Sequence, residues 1–209
     1  MDLEFDDNFD DIEDKGIVRS AEKFEAMLLN NEFHYLNEET YEKLSGFYIE
    51  NSKWDFAKKA CELGLDQYPY SLELLLNRTQ LHVNELEFDT GMDLLEKAAT
   101  FFPADTEILY MKGVLWNLLD EKDNALEVLK QALLLSDQKD DIHFQLAQTY
   151  QKAEDIESAV VHYKEAIRLG YENEIAYLEL IYNLEYLNEL EENLLYFKGL
   201  TDDKPYSHF

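Results

Sequence analysis

Residues that interrupt regular structure are scarce in this chain: three prolines and seven glycines in 209 positions. A turn-rich all-β protein needs more of both, so helices joined by short turns are expected. There is one cysteine, Cys61, which excludes an internal disulfide. Basic side chains are also few, 18 against 46 acidic ones, and the net charge is −28. A surface this negative repels phosphate backbones. Nucleic acid and anionic membranes are therefore set aside as partners, while basic ligands are admitted. No apolar run reaches the length of a membrane helix. The start, Met-Asp-Leu-Glu, has neither the basic nor the apolar region of a secretory signal, so a cytoplasmic location is expected.

What is present suffices for a core. Apolar residues make up 46% of the chain and aromatics 13%, which excludes disorder as a whole. The first stretch is the exception. Residues 1–14 carry eight acidic side chains and no basic one, interrupted by Leu3, Phe5, Phe9 and Ile12. Residues 1–16 are expected to form a mobile acidic tail. From Ile17 the spacing turns helical, with Val18, Ala21, Phe24, Met27 and Leu28 on one face. Ser20 is placed to cap that helix and Asn30-Asn31 to end it, giving a capping helix and linker over 17–37. Another helix is expected near Asn37, with Tyr41, Leu44, Tyr48 and Ile49 on one face.

The tripeptide Pro-Tyr-Ser occurs at 69–71 and again at 205–207, four steps of 34 apart. The same step organises the whole chain. From Ala57 it reaches Gly91, Ala125, Ala159 and Asn193; from Gly64 it reaches Ala98, Ala132, Ala166 and Leu200. From Tyr48 the series is His82, Trp116, Tyr150 and Leu184, and from Asp55 it is Asp89, Asp123, Glu157 and Glu191. Several independent columns agreeing on one period are the signature of a repeat array. The small columns lie two helical turns apart and let a neighbouring helix come close. The acidic column faces the positive end of a second helix in each unit. Pro69, Pro103 and Pro205 close their units, because the residue before a proline is driven out of the helical region.

A 34-residue helix–turn–helix unit with a large residue, a bulky aromatic, Ala, an aromatic or aliphatic, Ala and then Pro resembles the tetratricopeptide repeat (TPR). The units would be 38–71, 72–105, 106–139, 140–173 and 174–207. Leu146, Ala147, Tyr150, Ala159, Tyr163 and Ala166 fit best. Arg78 and Lys112 depart from the usual leucine, and Ile181, Asn193 and Leu200 stand where small residues are expected. The resemblance implies an all-α superhelix, or solenoid, of about five helix pairs behind an N-terminal capping helix. First helices would line a concave groove, and second helices would face outward. Residues 208–209 would begin a further repeat, which suggests an unfinished C-terminal end.

Chemistry for catalysis is thin. There is no Gly-rich phosphate loop, no His-Glu-x-x-His and no nucleophile elbow. His34, His82, His143, His162 and His208 are scattered, and His82 falls in the aromatic column as a packing residue. Cys61 falls in a core column as a small hydrophobe. Residues 11–22 match a calcium loop at their first, sixth, eighth and last positions. Lys15, however, puts a positive charge where the ion would sit. No metal, cofactor or catalytic residue is therefore assigned, and the chain reads as a non-enzymatic scaffold for a protein or peptide.

By the resemblance, partner contacts fall on Leu76, Asn77, Gln80 and Asn84; Tyr110, Val114 and Asn117; Phe144, Gln148 and Gln151; and Leu178 and Tyr182. Leu118, Lys152 and Tyr186 extend the same faces. Tyr110, Phe144 and Leu178 could equally pack between first helices. Family members that grip a free C-terminal carboxylate use Lys, Arg and Asn. Here the corresponding positions are Glu42, Gly46, Asn77, Glu107 and Met111, of which only Asn77 fits. Glu39, Glu42, Glu73, Glu107 and Asp141 would make one rim acidic. The expected ligand is therefore neutral to basic and partly apolar. The alternative is self-assembly, a homo-oligomer formed through exposed array ends.

Overall fold

The computed structural model describes residues 8–32, 35–171 and 173–193. All regular structure among them is helical. Contacts group the chain into two compact units, Met1–Phe101 and Phe102–Phe209. The first holds α1 (Asn8–Leu29), α2 (Glu38–Glu50), α3 (Trp54–Gln67), α4 (Leu72–Asn84) and α5 (Phe88–Phe101). The second holds α6 (Thr106–Leu118), α7 (Lys122–Leu135), α8 (Asp140–Lys152), α9 (Ile156–Leu169) and α10 (Glu174–Tyr186). From α2 onward, 13-residue first helices alternate with 14-residue second helices. Residues 194–209, which hold most of the fifth repeat's expected second helix, Pro205 and the chain end, lie outside the described residues.

Short polar side chains start α2, α4, α6 and α10, while α8 starts without a side-chain cap. Asn37 accepts from the Thr40 N–H, Ser71 from Leu74, Asp105 from Glu107 and Ile108, and Asn173 from Ile175. The turn inside each repeat is less orthodox. Ser52, Leu86, Asp120, Glu154 and Asn188 all have positive φ, 56 to 61°, and none is glycine. At each, the next N–H returns to the carbonyl five residues earlier: Lys53 to Tyr48, Glu87 to His82, Glu121 to Trp116, Asp155 to Tyr150 and Glu189 to Leu184. One left-handed residue thus ends each first helix and reverses the chain. A side-chain-bearing residue in that region costs about 1–2 kcal/mol.

Interior positions follow the 34-residue columns. Ala57, Ala98, Ala125, Ala132, Ala159 and Ala166 are fully buried, as are Tyr48, Cys61, Leu95, Leu129 and Leu184. Gly64 shows why one column must stay small: a Cβ there would lie 2.7 Å from Leu74 and 3.0 Å from Tyr41. Arg78 and Lys112 sit half-buried, as residues that run their stems along the core do. Burial pushes the Cys61 thiol up to about 11, so it stays protonated and inert.

α1 covers the front of the first repeat. Ala21, Phe24 and Met27 are buried. The Phe24 ring meets Tyr41 edge-on at 6.4 Å and Tyr48 at 6.0 Å, and the Tyr48 hydroxyl donates to the Ala21 carbonyl at 3.1 Å. The helix starts at Asn8, ahead of the expected Ile17. Ser20 is therefore not an N-cap; its hydroxyl donates one turn back, to the Gly16 carbonyl. Residues 11–22 are continuous helix rather than an ion-binding loop.

Candidate partner-binding faces

The second, fifth, ninth and thirteenth residues of a first helix share one side of it. In α2 these are Glu39, Glu42, Gly46 and Glu50, and in α10 they are Ile175, Leu178, Tyr182 and Tyr186.

In the first unit this face is a pocket. A cavity of about 590 Å³ is lined by Glu39, Glu42, Lys43, Gly46, Phe47 and Glu50 of α2, Glu73 of α4 and Ile17 of α1. Gly46 opens the floor, since it adds no side chain. Ile17 and Phe47 supply apolar wall, and four carboxylates face a single ammonium. Lys43 pairs with Glu39 at 3.0 Å. Glu42 accepts from the Ser71 hydroxyl at 2.6 Å, and Glu73 accepts from Asn77 at 3.4 Å. The pocket has the electrostatics to take a cation with some apolar surface.

In the second unit the α10 face is apolar and open. Ile175, Leu178, Tyr182 and Tyr186 are 49, 47, 61 and 69% exposed. The other side of the same helix is filled: Ala176, Tyr177, Leu180 and Leu184 are buried against α9.

The residues assigned by register divide accordingly. Gln80, Asn84, Leu118, Leu178, Tyr182 and Tyr186 are exposed. Val114 and Gln148 are half-buried. Leu76, Asn117 and Phe144 are buried. Phe144 stacks on Tyr171 with centroids 4.4 Å apart and meets Tyr163 edge-on, so its ring is engaged inside the unit. Tyr110 is half-buried. Burial, with Asp141 next to it, holds its hydroxyl well above the usual tyrosine range.

A polar ladder, which the 34-residue columns do not reveal, runs between first helices. Asn77 donates to the Ser45 hydroxyl at 2.9 Å, Asn117 to the Thr149 hydroxyl at 2.7 Å, and Asn183 to the Gln151 side-chain oxygen at 3.1 Å. Each partner lies 32 residues away. Gln151 also donates to Glu179 and accepts from the Tyr163 hydroxyl. Lys152 donates to the Asn117 carbonyl at 2.6 Å. A step of 32 taken from amides and hydroxyls is the signal that would have found these pairs. They tie adjacent first helices together and hold the open positions in place.

Two clusters outside these faces carry other chemistry. The ligand atoms of His82, Glu85 and Glu87 lie within 4.8 Å of one another. His82 bonds Glu87 at 2.7 Å and Lys58 bridges to Glu85, so the group already forms a hydrogen-bonded network around the α4–α5 turn. A divalent cation would have to displace Lys58. In the second unit, His143 and His162 share a bond between their Nδ1 atoms at 2.8 Å. One ring must donate and the other accept, so the accepting ring is neutral. Burial, with His143 alongside, pushes His162 down to about 4.

No protein-family model matches the sequence, and no curated protein matches it. Solved structures are similar in fold. A thermophilic TPR protein of Thermus thermophilus superposes with a TM-score of 0.65 at 19% identity, over 83% of this chain and 94% of that one. A crystal structure of MamA gives a TM-score of 0.62 at 20% identity, over 81% and 95%. MamA from Desulfovibrio magneticus gives 0.63 at 14% identity, over 79% and 93%. The fold is thus the all-α helical-repeat fold of TPR proteins. No described helix is long and apolar enough to cross a membrane.

Proposed function

We propose that this TPR-fold chain is a non-enzymatic, cytoplasmic scaffold that binds a peptide or partner-protein segment along its first-helix faces. One observation carries the reading. The interior columns are filled, while the second, fifth, ninth and thirteenth positions of α2 and α10 remain accessible. Side chains there do nothing for the core, so they are available to a ligand. Their chemistry selects one that is neutral to basic and partly apolar. The sole thiol is buried and protonated, and the paired histidines are bonded to each other with burial holding their pKa values low, so neither is set up for turnover.

Self-assembly is the second reading. Exposed apolar residues on second helices favour it, such as Leu134 at 83% and Val161 at 64%. A net charge of −28 opposes it, because two copies repel. The test is a peptide-display selection on the immobilised full chain, with light scattering on the free protein. Enriched peptides that combine basic and apolar residues, and a mass that stays monomeric with concentration, are expected. Binding that survives substitution of every exposed first-helix position would defeat the reading, and a concentration-dependent mass would favour self-assembly.

A further inference from the structure

We infer that the open face of α10 docks a basic amphipathic helix, with apolar side chains on the stripe and Lys or Arg on its borders. This rests on the scaffold reading above and names the partner's chemistry for the second unit.

Ile175, Leu178, Tyr182 and Tyr186 recur every three to four residues, so they form one stripe along the length of α10. All four are about half exposed or more. The helix is already anchored on its opposite side by Tyr177, Leu180 and Leu184. Tyr182 and Tyr186 therefore spend large apolar surface on water with no return in folding. Such a stripe is what a groove-docking helix reads through its own i, i+3 and i+7 anchors. Two tyrosines among four positions also suit an interface, since each ring offers broad contact area and a polar tip.

The borders decide which helix. Helical spacing puts Glu174 and Glu185 along one margin of the stripe and Glu179 along the other, where it accepts from Gln151 at 2.8 Å. An apolar strip between carboxylate margins is complementary to apolar anchors flanked by ammonium or guanidinium groups. A second copy of this chain would bring more carboxylates to the same margins, so charge favours a basic partner over self-association. The first unit's face differs: it offers a pocket sized for side chains and only Ile17 and Phe47 as apolar wall.

The test uses the full chain and a fluorescein-labelled synthetic peptide of leucine and lysine at helical spacing. A scrambled peptide of the same composition has the same charge but no apolar face. The variants are Leu178→Ser/Tyr182→Ser on the stripe, Leu134→Ser/Val161→Ser on exposed second-helix positions, and Glu39→Gln/Glu50→Gln in the first-unit pocket. Circular dichroism verifies folding, which exposed sites should leave unchanged. The stripe variant is expected to weaken the patterned peptide by about tenfold, the other two by less than about twofold, and the scrambled peptide should bind about tenfold more weakly than the patterned one. Equal binding of both peptides, or equal loss in the stripe and second-helix variants, would overturn the inference. Loss confined to Glu39→Gln/Glu50→Gln would overturn it while leaving the scaffold reading standing. If no variant weakened binding, both would fall. A dimer that the stripe variant converted to monomer would make a second copy the occupant and end the proposal.

Discussion

α2 and α10 are built alike. Each is a 13-residue first helix that an asparagine, Asn37 or Asn173, caps at its start. Each ends in a turn with one left-handed residue, Ser52 or Asn188, and each buries a tyrosine, Tyr41 or Tyr177, at 1% exposure. Their open faces share nothing. Three glutamates and a glycine in α2 stand where α10 carries isoleucine, leucine and two tyrosines. Contact with the neighbouring helix constrains the inward columns alone. In α2 and α10 the outward positions escape that demand, so the same helix design carries an acidic pocket in one unit and an apolar face in the other.

The largest effect separates inward from outward positions. Tyr48→Ala and Tyr177→Ala should each cost about 3–5 kcal/mol in urea unfolding, while Tyr182→Ser, on the opposite side of α10 from Tyr177, should stay within about 0.5 kcal/mol. If Tyr182→Ser cost as much as Tyr177→Ala, the stripe would belong to the core.

Acid should separate the two units next. His162 is held below its free value of 6.5, at about 4, and His143 is held low as well. The folded state therefore prefers them neutral. Their contribution is complete above pH 6.5 and is lost as pH falls through about 4, because the unfolded chain takes up the protons first. His143→Gln/His162→Gln removes this loss without altering the first unit. The fall in second-unit Tm between about pH 7 and about pH 4.5 should be roughly 4 °C smaller in the double variant. An unchanged fall would show that carboxylates alone govern the acid response.

The smallest effect lies in the turns. Leu86 is 75% exposed and has φ of 60°, so its side chain contributes little packing while the backbone bears the strain. Leu86→Gly should raise stability by roughly 0.5 kcal/mol, the relief of a left-handed branched residue less the entropy glycine adds to the unfolded chain. Asn188→Gly in the second unit should change it by less than about 0.3 kcal/mol, because asparagine tolerates this region. Differential scanning calorimetry resolves the pair, and equal gains would contradict the strain argument.

Much of the fold was legible because the 34-residue step governs burial. Ala125, Ala159 and Ala166 are small since another helix touches them, and a contact that recurs in every unit leaves a recurring residue. The left-handed turns were not legible. Ser, Leu, Asp, Glu and Asn share no property that marks positive φ, and the turn is imposed by the two helices it joins. The candidate face was half legible. Register located Leu178 and Tyr182 on the open side, but it also named Phe144 and Asn117. In the folded unit Phe144 is consumed by stacking on Tyr171 and Asn117 by its bond to Thr149. Gly46, Ile17 and Phe47 were missed as one pocket, because α1 is outside the repeat and its position follows from no periodic rule.

By itself, then, the order of residues determined the repeat length, the alternation of first and second helices and which columns face inward, since these follow from local spacing and from size at close contacts. Tertiary packing alone decided which outward-register side chains stay accessible, that α1 walls the acidic pocket, and that His143 meets His162. Each of these depends on side chains from different helices arriving at one place, and a linear pattern does not encode where separate faces meet.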